Sequence, residues 1–98
     1  MSFADLVTAD IRLVILKALA EDQGYSANES ILQEILGLFG HTVTRDRVRT
    51  ELGWLEEQGL VTVGDTAGIK VARITGRGID VSTGAARVDG IKRPRPRA

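Results

Sequence analysis

The chain has 98 residues, 43% hydrophobic and 27% charged, which supports one domain with one core in an ordinary soluble globular protein. It contains no cysteine, which excludes a disulfide framework, a thiolate metal site and a cysteine nucleophile, and suits a reducing compartment. Thirteen bases balance thirteen acids, but the last fourteen residues hold five bases and one acid; the preceding 84 hold eight bases and twelve acids, a net of −4. Such a body repels nucleic acid on average, so any DNA contact has to be local.

No apolar run approaches the ~20 residues that a membrane span requires. The start, Met1-Ser2-Phe3-Ala4-Asp5, lacks the basic and apolar regions of a signal peptide. A cytoplasmic protein without membrane contact is expected, and the glycosylation sequon Asn28-Glu29-Ser30 reads as chance.

The spacing predicts a first helix from residue 4 to about 21, with Ile11, Ile15, Leu16 and Leu19 as its apolar stripe. Asp22-Gln23-Gly24 ends it. Ser26-Ala27-Asn28-Glu29 reads as a capping box opening a second helix over about 27–39. Ile31, Leu32, Ile35, Leu36 and Phe39 are expected to be buried on one side of it. Thr44 is the expected N-cap of a third helix reaching about Gln58, with Val48, Leu52 and Leu55 on one face. Gly59 fits the left-handed C′ position, with Leu60 folding back onto Leu55. Two strands follow, Leu60 to Asp65 and Ile69 to Thr75, joined by the loop Gly64–Gly68. Val61, Val63 and Ile74 are the expected core positions there. Residues 75–84 read as a short final helix or turn. The expected fold is therefore α+β, mainly α: a winged helix-turn-helix of three helices, a β-hairpin wing and a short C-terminal helix. Residues 1–84 form that domain, and 85–98 form a basic Pro/Arg tail expected to be disordered.

The run Thr44-Arg45-Asp46-Arg47-Val48-Arg49, then Trp54-Leu55-Glu56-Glu57-Gln58-Gly59-Leu60-Val61, then Ile74-Thr75-Gly76-Arg77-Gly78 is similar to small winged-helix regulators of the ArsR type. The Gly24-Tyr25-Ser26 entry to the second helix and the Lys92-Arg93-Pro94 ending resemble short ArsR-like proteins of Mu-like phages and prophages. The likeness spans about residues 3–94. It implies a transcription regulator that binds double-stranded DNA in a bacterial host. No metal response carries over, because the chain has no cysteine and one histidine. Dimers are common in this family, but the long C-terminal helix that usually forms the interface is missing.

In a winged helix the third helix enters the major groove. That makes Arg45, Arg49 and Thr50 the candidates for base edges and Arg47 a candidate for phosphate. Lys70 and Arg73 flank the wing, and Lys92, Arg93 and Arg95 belong to an arm that could follow a groove. The same arginines also suit a solvated face, with Arg47 pairing with Glu51 at i,i+4. Glu56 and Glu57 near the helix end would meet phosphate if the helix lay flat, which keeps a protein-interaction module without DNA binding as the alternative. Trp54 is expected beside the core near Val61, or else exposed to a partner. His41 is alone, so a loop hydrogen bond is expected and not a metal site. No nucleophile, base and orienting group can be assembled, so no enzyme and no cofactor are expected.

Overall fold

The computed structural model describes residues 1–96. Arg97 of the expected tail lies outside the described residues. The elements run α1 (Phe3–Glu21), β1 (Ser26–Asn28), α2 (Glu29–Leu38), α3 (Arg45–Glu57), β2 (Val61–Thr66), β3 (Ile69–Ile74) and α4 (Gly76–Thr83). The three strands form one antiparallel sheet in the order β1-β3-β2.

Local chemistry accounts for most boundaries. Ser2 and Asp5 close a reciprocal capping box at the start of α1. Thr44 caps α3 by accepting from the Arg47 amide, as expected. At its end the Leu60 amide donates to the Leu55 carbonyl and the Gly59 amide to that of Glu56, with Gly59 at φ +76°. This is the Schellman pattern that the Gly59-Leu60 pair anticipated. The hairpin is tighter than expected: Thr66 pairs with Ile69, and only Ala67 and Gly68, both at positive φ, make the turn.

Two expectations about the second helix are corrected. Ser26 is not its N-cap. Ser26–Asn28 extend as β1 opposite Arg73–Val71, and Asn28 caps α2 by accepting from the Ile31 amide. Pairing with β3 gives the Ser26–Asn28 backbone a ladder in place of a first helical turn. Ile31 and Phe39, expected in the core, are exposed.

The core forms where α1, α2 and α3 meet the inner face of the sheet. Ile11, Ile15, Leu16 and Leu19 pack with Leu32, Leu36, Val48, Leu52 and Leu55, then with Val61, Ala72, Ile74 and Val81. Val63 is only partly buried. Gly78 is dictated by this packing: a Cβ there would stand 2.2 Å from the Leu60 carbonyl oxygen, where α4 crosses the passage from α3 to β2.

The C-terminal segment departs most from expectation. Residues 86–92 are laid along α1 and α4: the Ala86 amide donates to Asp80, the Lys92 amide donates to Ala9, and Ala86, Val88 and Ile91 pack on the core. Gly90, at φ +96°, fits beneath Trp54 and Arg12, where a Cβ would come within 3.1 Å of the indole. Among the described residues, no helix is long and apolar enough to cross a membrane.

Candidate nucleic-acid interface

The third helix divides into an inner face, an outer stripe and two flanks. Val48, Glu51, Leu52 and Leu55 are buried. Asp46, Thr50, Gly53 and Glu57 recur at i, i+4, i+7 and i+11 on the opposite side, and all four are exposed. The outward stripe therefore carries two acids and no base. The three arginines lie on the flanks.

Arg49 turns onto Glu29, the first residue of α2. Its Nε lies 2.6 Å from Oε1 and its Nη2 2.9 Å from Oε2, and Nη2 also donates to the Gly68 carbonyl at the hairpin turn. Glu29 is fully buried and also accepts the Lys70 amide. The Arg49 hydrogen bonds, then that amide, outweigh desolvation and hold the Glu29 carboxyl down to about 2; Arg49 is raised by the same pair. One carboxylate thus fastens α2, α3 and the hairpin together.

Arg47 turns to the other flank. The i,i+4 alternative is the arrangement found: Nε donates to Glu51 Oε2 at 2.8 Å, and Nη2 donates to the Thr8 hydroxyl at 2.7 Å. Glu51 is also buried, and its second oxygen accepts from Arg12 Nε at 2.8 Å. Arg12 stacks 3.7 Å above the Trp54 ring and donates to the Gly90 carbonyl. Trp54, expected beside the core, is half-buried in this stack.

The remaining candidates are dispersed. Arg45 is exposed and donates to Gln33 of α2, and the Thr50 hydroxyl donates to the Asp46 carbonyl of its own helix. Lys70 lies 3.3 Å from Asp65 in the adjacent strand. Arg73 is exposed on the outer face of the sheet, since its neighbours Ala72 and Ile74 are buried. Lys92 lies 3.3 Å from Asp10, whose other oxygen is 2.6 Å from His41 Nε2, so His41 makes the expected hydrogen bond from its loop. Arg87, Arg93 and Arg95 are exposed and make no ion pair among the described residues. Glu56 caps an edge: its carboxylate accepts the Val63 amide on β2.

Glu29 is the residue that sequence reasoning missed, and Glu51 was expected as a partner of Arg47 but not as a buried carboxylate shared with Arg12. The burial of Glu51 was visible in principle, because it lies three residues after Val48 and four before Leu55, on the apolar face. A carboxylate at such a position needs a cation, and Arg47 and Arg12 supply it.

No known family model matches the chain. It is 55% identical over 94 residues to gp26, an uncharacterized protein of Escherichia phage Mu, covering 96% of this chain and 97% of that one. The chain belongs to the phage Mu gp26 family. A second relative, an uncharacterized protein of Haemophilus influenzae, is 50% identical over 97 residues, covering 98% of this chain and 94% of that protein. The phage association expected from the sequence is thereby shown.

Proposed function

We propose that this gp26-family chain is a winged-helix domain that serves as a non-catalytic protein-docking module, presenting α3 to a protein and not to a duplex major groove. Its element order and the β1-β3-β2 sheet with a hairpin after α3 support the winged-helix assignment. The observation that carries the docking reading is the outward stripe Asp46, Thr50, Gly53 and Glu57, with Arg47 and Arg49 turned onto buried carboxylates. A groove-reading helix relies mostly on cations and amide or hydroxyl donors, and of these the stripe offers only the Thr50 hydroxyl, which already donates to the Asp46 carbonyl. Arg49 is fixed through Nε and Nη2, and turning its guanidinium outward as a whole would leave the buried Glu29 without its cation, which is strongly unfavourable. An acidic, small-residue stripe suits a basic protein surface instead.

A photo-crosslinking amino acid at position 50, in bacterial cells carrying a replicating Mu-like phage, tests this. A discrete protein adduct that is lost with Glu57→Lys is expected. Crosslinking to DNA, or no adduct, contradicts it.

One observation favours a second reading. Arg87, Arg93 and Arg95 are exposed on the C-terminal segment without ion pairs among the described residues, which suits phosphate contact away from α3. Three such contacts would give duplex affinity a log–log salt slope of about −3.

A further inference from the structure

A cleft of about 820 Å³ lies between the first turns of α1, Val81 of α4 and residues 86–94. Leu6, Ala9, Val88, Ile91 and Pro94 give it an apolar wall, and Arg87 and Arg93 stand beside that wall. Asp5 and Asp89 also line it, but the four bases Arg12, Arg87, Lys92 and Arg93 outnumber them, and Arg87 and Arg93 make no ion pair among the described residues. The cleft therefore suits an occupant that is apolar and carries a carboxylate.

The molecule itself displays such an occupant. On α2, Ile31, Glu34 and Leu38 recur at i, i+3 and i+7, and Phe39 follows at the helix end. Leu38 is 84% exposed, Phe39 66% and Ile31 46%. Clustered apolar side chains on a soluble surface mark an interaction site. This knob and the cleft are neighbours: Asp10 is held on one side by His41, just past α2, and on the other by Lys92 in the cleft wall.

We propose that the chain forms a two-fold dimer in which the α2 knob of each copy enters the α1/C-terminal cleft of the other. Leu38 and Phe39 meet the apolar wall, and Glu34 faces Arg87 and Arg93 of the second copy. Because knob and cleft lie side by side, one two-fold axis satisfies both contacts and the assembly closes. The dimer uses no residue of the α3 stripe, so it stands or falls separately from the docking reading.

Sedimentation equilibrium on the full chain tests it. The wild type is expected to be dimeric at micromolar to submillimolar concentration. Leu38→Glu and Leu6→Glu, both at exposed positions, each give a folded monomer by circular dichroism. Glu34→Arg weakens the dimer about tenfold or more, equivalent to ~1.4 kcal/mol, and Arg87→Glu with Arg93→Glu restores it. The decisive sample is a mixture of the Leu38→Glu and Leu6→Glu chains. It forms a 1:1 dimer weaker than the wild type but tighter than either variant alone, because one contact joins an intact knob to an intact cleft while the other carries both glutamates. A wild type that stays monomeric, a dimer untouched by Leu6→Glu, or a mixture that associates no more than either variant alone overturns the proposal.

Discussion

At the scale of single residues, two buried carboxylates decide what the arginines of α3 can do. Glu29 is held ionised by Arg49 and the Lys70 amide, with its pKa lowered from the usual 4.5 to about 2. A carboxyl depressed on folding contributes stability that is complete above its unfolded pKa and lost as pH falls through the folded one. Urea midpoints measured between pH 6 and pH 2.5 should therefore fall most steeply below about 4.5. Glu29→Gln should be less stable at neutral pH and show a flatter profile across that window. A profile identical to wild type contradicts the role given to this carboxylate. Asp10 adds a smaller slope of the same sign: burial pushes its pKa up, but the His41 and Lys92 contacts more than offset this and lower it. Glu51 is the second such group. Glu51→Ala leaves Arg12 and Arg47 facing each other without their shared anion, and should cost about 3 kcal/mol, the low end for a broken buried pair because Arg47 partly reaches water.

At the scale of elements, what could be read from the sequence was local chemistry. The Thr44 cap, the Gly59-Leu60 ending, the two Val- and Ile-rich strands and the short final helix each depend on residues within a few positions of one another, and all are present. The rest depends on partners far along the chain. Ser26–Asn28 is too short to show a period and becomes a strand only because β3 offers a ladder. The segment after Gly84 reads as a solvated tail from its Arg and Pro content. It is held by a surface that exists only after folding, made by Ala9, Arg12 and Trp54. Likewise, nothing around Arg47 or Arg49 announces that α1 and α2 bring Thr8 and Glu29 to them. The passage from α3 to β2 gives an element-scale prediction. Gly78→Ala puts a methyl group against the Leu60 carbonyl, and the resulting overpacking should destabilise the domain by about 1–3 kcal/mol in chemical denaturation. No change in the midpoint would mean that α4 sits farther from that carbonyl than the structure places it.

At the scale of the whole molecule, net neutrality conceals an acidic body and a basic C-terminal segment folded against it. The architecture is an α+β domain of four helices and a three-stranded antiparallel sheet; on the proposed winged-helix assignment, the surface through which such a fold reads DNA is reversed in sign along its outer stripe. Fold and function therefore part here: the helical bundle and hairpin are compatible with regulators, whereas the charges on α3 favour a protein partner. The most direct test is a titration of isotopically labelled chain with duplex DNA at low salt, following the backbone amides of residues 45–57 and the Nε–H signals of Arg47 and Arg49. These signals should stay in place throughout, with the two guanidinium resonances still reporting their carboxylate partners. If they shift saturably and return as salt is raised, the arginines of α3 meet phosphate, and the docking account of this helix is wrong.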